Sequence, residues 1–147
     1  MSENRSSPPE ILALSLTSAY RRLYDQAARC ARDNGLQIEA WSVLETLEAG
    51  ERLTMGQIAQ AVAMKLPALS KLVDRMVSDG LVHRQPSRSD QRQVNLLLTD
   101  LGRKRMMEVR SAMVDHDAGV RAALGEGRAM QVQAILVDLA RLPDSPH

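Results

Sequence analysis

The sequence predicts a mainly α-helical protein that carries one short β-hairpin. Both ends of the chain repeat apolar residues every three or four positions, which is the period of an amphipathic helix. A capping pattern marks a further helix start near the middle, and two short apolar runs flank a turn-rich segment after it. The length of 147 residues suits a single domain with a buried core.

Two helices are predicted before residue 50. The first covers residues 8–34 and ends at Asn34-Gly35, a favourable stop. The second covers residues 37–49. The apolar positions of the first helix form a narrow seam, which is typical of packing against other helices. They are Leu12, Leu16, Ala19, Leu23, Ala27 and Cys30.

The central segment predicts a helix-turn-helix. Thr54 and Gln57 form a capping box, so we expect a helix to start at Thr54. Pro67 suits the first position of the next helix, and Gly80 suits its end. The apolar residues of this second helix share one face: Leu69, Leu72, Val73 and Met76. The opposite face is small, polar and basic: Pro67, Ala68, Ser70, Lys71, Asp74 and Arg75.

The hairpin that follows completes a winged helix-turn-helix. Its strands are predicted at residues 81–85 and 93–98, and its tip at residues 86–92 contains Arg88 and Arg92. A helix face with short side chains can approach base edges in a major groove, and tip arginines can reach a phosphate or the minor groove. Asp90 can brace Arg92 through a charge-assisted contact. The pattern therefore favours binding to double-stranded DNA.

Two further helices are predicted after the hairpin. Thr99 suits the N-cap of a long helix, and a break at residues 125–127 precedes a last helix to about Leu142. The long helix carries an apolar seam of Met106, Val109, Met113, His116 and Val120. The last helix is predicted to bury Met130, Val132, Ile135, Leu136 and Leu139. These seams are too apolar to remain exposed to water in a single chain, so we expect a twofold homodimer that buries them.

The charge distribution supports the same division. Residues 52–105 hold ten Lys/Arg and four Asp/Glu, whereas the rest of the chain holds nine and fourteen. Basic charge concentrated on one unit is the electrostatic footprint of nucleic-acid binding. No signal pattern or membrane span is expected, so a cytoplasmic protein without a membrane partner is predicted. No enzyme motif, cofactor site or metal-ligand spacing is found in the sequence.

Several motifs resemble the MarR (multiple antibiotic resistance regulator) family of transcription factors. They are the Leu-Thr-x-x-x-Ile-Ala tract at 53–59, the segment 69–76, the Gly-Leu-Val exit at 80–82, the Ser-Asp-Gln-Arg tip at 89–92 and the Leu-Thr-Asp-Leu-Gly joint at 98–102. The resemblance implies one domain over 1–147. Residues 8–34 and 106–142 would be dimerisation helices, and 36–105 the winged helix-turn-helix unit.

The resemblance also implies a regulator that binds a pseudo-palindromic operator. Phosphate or groove contacts are predicted for Lys65, Lys71, Arg84, Arg88 and Arg92. Base contacts are predicted for Pro67, Ala68, Ser70 and Arg75, and the predicted DNA-binding set also includes Thr54, Ser87 and Asp90.

A small organic effector that releases DNA is a further implication of the resemblance. The aromatic residues all lie on the first two predicted helices, where arginines are close in sequence. Aromatic stacking with a guanidinium nearby would suit an aromatic anion or an acyl-CoA-like thioester. The predicted effector-binding residues are Tyr20, Tyr24, Arg21, Arg22, Trp41, Met106 and Met113.

Three further functions are compatible with the sequence. The first is a thiol-based redox regulator acting through Cys30, although the position of Cys30 on the apolar seam favours a small core residue. The second is an effector-independent architectural DNA-binding protein, and the third is a helical protein-interaction module. His116, which lies on another apolar seam, favours a core or interface role over that of a ligand or switch.

Overall fold

The computed structural model describes residues 10–50, 52–86 and 94–144. Within these ranges, six helices and two strands follow in the order α1 (Leu12–Asp33), α2 (Ile38–Ala49), α3 (Met55–Ala61), α4 (Leu66–Ser78), β1 (Val82–Pro86), β2 (Val94–Leu98), α5 (Asp100–Leu124) and α6 (Glu126–Ala140). The strands form an antiparallel pair with Val82 opposite Leu98 and Pro86 opposite Val94. The prediction of a mainly helical winged fold is confirmed.

The core lies where α2, α3, α4, the hairpin and the first half of α5 meet. Its side chains include the whole predicted α4 seam and the first part of the predicted α5 seam, together with apolar residues of α2, α3 and the hairpin. The largest fully buried side chains are Val43, Leu44, Ile58, Leu69, Val73, Met76, Val82, Met106 and Val109. Burial of this one cluster fixes how α4 and the hairpin sit against α5.

Local chemistry sets the ends of the central helices. The Thr54 hydroxyl accepts a hydrogen bond from the Gln57 N–H at 3.1 Å, and the Gln57 side chain accepts from the Thr54 N–H at 2.8 Å. The predicted capping box is therefore present. Pro67 occupies the second rather than the first helical position, because Lys65 is the N-cap and Leu66 begins α4. Its missing N–H is also harmless there, since the first-turn amides have no partner within the helix. Gly80 follows α4 with φ of 74°, a conformation that glycine adopts without strain.

The joint between the hairpin and α5 depends on Thr99 and Gly102. Thr99, the predicted N-cap of α5, accepts a hydrogen bond from the Gly102 N–H at 2.9 Å, and its own hydroxyl lies 2.6 Å from the Gly80 carbonyl oxygen. A Cβ at Gly102 would lie 2.0 Å from the Leu81 carbonyl oxygen. The backbone of α5 can therefore approach the hairpin this closely only because residue 102 is glycine.

The outer helices bury less than predicted. Of the α6 residues, Ala129 is buried, whereas Met130 and Ile135 are 62% and 55% exposed. Within one chain the apolar side of α6 is therefore largely exposed, because α6 packs mainly on α5. Burial of this side against a second subunit stays a prediction. The first half of α1 is similar, with Leu12 67% exposed and Leu16 41% exposed.

No helix within the described ranges combines the length and the apolar character that crossing a membrane requires.

Candidate functional site

The outward face of α4 is open to solvent. Its apolar residues point into the core, while Pro67, Ala68, Lys71, Asp74 and Arg75 are exposed and Ser70 is half-buried. Lys65, the N-cap of this helix, is exposed as well. A convex helix with short and basic side chains on its free side has the shape and charge that a major groove admits.

Arg84 is already paired within the chain. Its Nη2 donates a hydrogen bond to Asp74 Oδ1 at 2.6 Å, so the first strand of the hairpin is connected to the outward face of α4. The Arg84 and Asp74 side chains remain 39% and 66% exposed. The Arg84 guanidinium is therefore paired with the Asp74 carboxylate, and it is not free for the predicted phosphate contact. Sequence spacing did not reveal this pairing.

The remaining predicted DNA contacts fall into two groups. Ser87, Arg88, Asp90 and Arg92 lie outside the described residues, and their roles stay predictions. Thr54 is half-buried, and its hydroxyl is occupied by the Gln57 amide. Its main observed role is thus to start α3.

A cavity of about 480 Å³ lies beside the core, between α1, α2 and α5. Most of its wall is apolar, and the charged groups come from α2 and α5. The lining residues are Leu23, Ala27, Trp41, Glu45, Arg110, Met113, Val114, His116, Asp117 and Val120. A cavity of this size and character suits a small organic ligand.

An ion pair joins α2 to α5 at the cavity wall. Arg110 Nε donates to Glu45 Oε1 at 2.8 Å, and Arg110 Nη2 donates to Glu45 Oε2 at 2.7 Å. This hydrogen bonding raises the pKa of Arg110, so the guanidinium stays charged. The two residues are far apart in sequence, and no local pattern could have identified them as neighbours.

Trp41 also lines the cavity, and its indole N–H is a hydrogen-bond donor without a partner among the described residues. Its Nε1 atom is buried and has no hydrogen-bond acceptor among the described residues. A buried N–H without an acceptor costs free energy, and most such groups in native proteins are paired.

The predicted effector residues are divided by the structure. Trp41 and Met113 line the cavity, whereas Met106 is fully buried in the core and does not reach the wall. Tyr20 and Tyr24 do form a joint surface, with ring centroids 5.3 Å apart and planes tilted by 35°.

That tyrosine surface lies off the cavity wall, as do the exposed Arg21 and Arg22. The Tyr24 hydroxyl donates to Glu39. Burial, together with this hydrogen bond, raises the pKa of Tyr24, so the phenol stays neutral.

Cys30 and His116 occupy different surroundings. Cys30 is half-buried and packs against the core, as its apolar seam predicted. Burial, followed by the charges of Asp33 and Asp115, raises the pKa of the Cys30 thiol and disfavours the reactive thiolate. His116 is half-buried and lines the cavity. Within the described ranges, no group of three His, Cys, Asp or Glu side chains is arranged to hold a metal ion.

The fold and the free face of α4 define a winged helix-turn-helix protein of the DNA-binding class. A family model described as "MarR family" matches residues 34–93, a segment that contains α2, α3, α4 and β1. Over this segment the chain is similar to the MarR family, so the resemblance that its motifs predicted is confirmed.

A curated relative is named as a transcriptional regulator, and solved structures of repressors share the fold. The chain is 24% identical to the HTH-type transcriptional regulator FarR of Neisseria gonorrhoeae over 90% of either chain. The transcriptional repressor CouR bound to a 23-mer DNA duplex superposes with a TM-score of 0.84 at 26% identity, over 90% of this chain and 94% of that one. CouR bound to p-coumaroyl-CoA superposes with a TM-score of 0.80 at 24% identity, over 90% and 93%.

Proposed function

We propose that this protein is a dimeric transcriptional repressor that binds a pseudo-palindromic DNA operator and is released from it by a small organic effector. The observation that carries the proposal is the outward face of α4. Its whole apolar seam is buried, while Pro67, Ala68 and the basic side chains are exposed. No element of the described chain covers this face, and its chemistry suits DNA.

Side-chain length and charge determine which residues are proposed to contact phosphates and which to contact bases. Lys65 and Lys71 are long exposed cations that reach phosphates, whereas Pro67 and Ala68 let the helix backbone come close to base edges. Arg75 is long enough to reach a base or a phosphate. The tip residues Arg88 and Arg92 are proposed as further contacts on the adjoining groove.

A homodimer would cover the exposed apolar residues of the outer helices. Leu12, Leu14 and Leu16 of α1 and Met130, Val132 and Ile135 of α6 are each more than a third exposed in the single chain. Both helices pack on α5, and apolar surface of this extent is typical of an interface between subunits. Twofold pairing would place two copies of α4 about 34 Å apart, one turn of DNA.

Effector release is proposed to act through the cavity between α1, α2 and α5. The cavity joins a helix of the winged unit to two helices of the outer region, so a ligand there can favour one spacing of the two DNA-binding units over another. CouR has been solved both with DNA and with p-coumaroyl-CoA, which supports a protein of this fold taking both kinds of partner.

Selection from a pool of randomised duplexes tests the DNA-binding proposal. The expected product is an inverted repeat whose half-sites are centred about 10 base pairs apart. Sedimentation at micromolar concentration is expected to give a dimer. Uniform binding without enrichment would favour an architectural DNA-binding protein, and failure to bind any duplex at low ionic strength would reject both DNA-binding functions.

A further inference from the structure

A second cavity, of about 330 Å³, lies where the end of α2, the loop after it, both strands of the hairpin and the start of α5 meet. It shares no lining residue with the cavity between α1, α2 and α5. We propose that this hairpin cavity binds a small carboxylate that carries a short apolar body. The site is separate from the proposed effector cavity, and the inference does not depend on effector release.

One part of the wall of the hairpin cavity is apolar. Leu47, Leu53 and Leu98 are half-buried there, and Leu96 is buried. An aliphatic or aromatic group in contact with these leucines leaves water together with the leucine surface that it covers, which is favourable. The volume is at the lower end of the range for small-molecule sites, so the ligand has to be small.

The polar part of the wall carries more positive than negative charge. Arg52 comes from the loop after α2 and Arg103 from the first turn of α5, whereas Glu48 is the one carboxylate among the described lining residues. His83 of β1 contributes an imidazole, and Asn95 of β2 contributes a side-chain amide. Each of these four groups has an N–H that can donate to a carboxylate oxygen. A ligand carboxylate at this wall therefore meets donors from four separate parts of the chain.

The contact between Arg103 and Glu48 leaves the guanidinium available. Arg103 Nη2 lies 3.4 Å from Glu48 Oε2, and the two side chains are 55% and 37% exposed. The pair at the other cavity is tighter, because Glu45 accepts from both Nε and Nη2 of Arg110 at 2.8 and 2.7 Å. An exposed ion pair with a long contact is weak. A ligand carboxylate can therefore bind Arg103 beside Glu48 or in its place.

Two observations separate these cations from the proposed DNA contacts. Arg52 has a φ of 48°, in the left-handed region that non-glycine residues rarely adopt and that is enriched at ligand-binding sites. Residues 52–105 hold ten Lys/Arg, and the predicted DNA-binding set includes six of them but neither Arg52 nor Arg103. Part of the basic excess of this unit thus lies around the hairpin cavity rather than on the outward face of α4.

Hexanoate and hexanamide test the proposal, because they share an apolar body and differ in charge. Backbone amide shifts of isotope-labelled wild-type protein, followed during titration at neutral pH, give both the affinity and the position of the ligand. We expect hexanoate to shift the amides of Leu96, Leu97, Leu98 and Arg103 and to bind roughly tenfold more tightly than hexanamide. Shifts confined to the lining of the other cavity, or no preference for hexanoate, would overturn the inference.

Acetate and inorganic phosphate test the need for the apolar body. Acetate keeps the carboxylate but lacks four methylene groups, so it is expected to bind at least about tenfold more weakly than hexanoate. Inorganic phosphate is expected to bind more weakly than hexanoate for the same reason. If either anion binds as tightly as hexanoate, the cavity recognises charge alone and the proposed ligand class is wrong.

Glu48→Gln and Glu45→Gln form a matched pair of variants. Each removes a carboxylate of α2 that pairs with an arginine of α5, one at either cavity. Glu48→Gln removes the group that competes for Arg103, so the affinity for hexanoate is expected to rise about fivefold. Glu45→Gln is expected to leave that affinity within about twofold of wild type. The opposite order would place the carboxylate in the other cavity and overturn the inference.

Arg103→Gln tests the cation itself. The affinity for hexanoate is expected to fall about tenfold and that for hexanamide to stay unchanged. Lys104→Gln is the control, because Lys104 is the exposed neighbour on α5 and does not line the hairpin cavity. Equal losses from the two variants would overturn the role of Arg103. The comparison of hexanoate with hexanamide in wild-type protein decides the proposal even where a variant is unstable.

DNA binding by the same wild-type sample separates this inference from the proposed function. If the protein binds a selected duplex but not hexanoate, the carboxylate site is rejected and the DNA-binding proposal stands. If it binds hexanoate as expected but no duplex at low ionic strength, the carboxylate site stands and the DNA-binding proposal is rejected.

Discussion

The ion pair between Arg84 and Asp74 leads to a prediction with an unusual sign. Asp74 places a carboxylate on the helix face that is proposed to meet DNA, and Arg84 neutralises it at 2.6 Å. Asp74→Asn removes a negative charge from that face and frees Arg84. We therefore expect the variant to bind DNA more tightly than wild-type protein.

The magnitude follows from Coulomb's law. A unit charge ~7 Å from each of two phosphates in water contributes ~1.2 kcal/mol, which is roughly sevenfold in Kd. Arg84→Ala should weaken binding by a similar factor, because it removes a cation and leaves the Asp74 charge uncompensated. The double variant should return close to wild-type affinity. Both side chains are well exposed, so the pair should contribute only about 0.2–1 kcal/mol to folding, and all variants should remain folded.

Fluorescence anisotropy with a selected duplex measures the full cycle at several salt concentrations. The two single variants should change the affinity in opposite directions, and both changes should shrink as salt rises. If Asp74→Asn weakens binding as much as Arg84→Ala does, the reasoning is refuted. The carboxylate would then serve to hold Arg84 in its DNA-contacting position.

Three other predictions concern the fold and the thiol. Gly102→Ala should lower the free energy of unfolding in urea by more than about 2 kcal/mol, because its Cβ would lie 2.0 Å from a backbone carbonyl oxygen. A loss below about 0.5 kcal/mol would show that α5 can shift freely. Thr54→Val should lower the free energy of unfolding by about 1 kcal/mol, because it removes the capping box. The control Thr17→Val removes a hydroxyl that bonds only to a helix carbonyl, so it should lower the free energy of unfolding by less. Equal losses would argue against the cap. Iodoacetamide should alkylate Cys30 more slowly in the folded protein than in the urea-unfolded chain at pH 7.5, because its raised pKa lowers the thiolate fraction; faster reaction in the folded protein would favour a redox regulator.

The sequence was most informative where chemistry is local. The Thr54 capping box, the Gly80 exit and the Thr99 N-cap each depend on residues within a few positions, and the structure confirms all three. The seam of α4 also followed from periodicity, because a helix repeats its faces regardless of what it packs against.

Prediction was poorer where distant residues meet. The Arg110–Glu45 pair and the Arg84–Asp74 pair each join separate elements, so neither was visible from spacing. The predicted proximity of Tyr20 and Tyr24 is confirmed, but neither side chain lines the cavity between α1, α2 and α5, because neighbours on one face of α1 need not face it. The apolar side of α6 was predicted from its spacing, but spacing alone does not divide that side between burial within the chain and burial against a second subunit.

The central claim, that the free face of α4 meets duplex DNA, is tested most directly by the salt dependence of binding for Lys71→Ala. Arg128→Ala is the matched control, because Arg128 is exposed on α6 and the substitution also removes one positive charge, at a position distant in sequence from α4. Between 50 and 200 mM salt, we expect the negative slope of log K against log salt concentration to become shallower by about 0.9 for Lys71→Ala and to stay unchanged for Arg128→Ala. Equal slopes for wild-type protein and both variants would contradict the account.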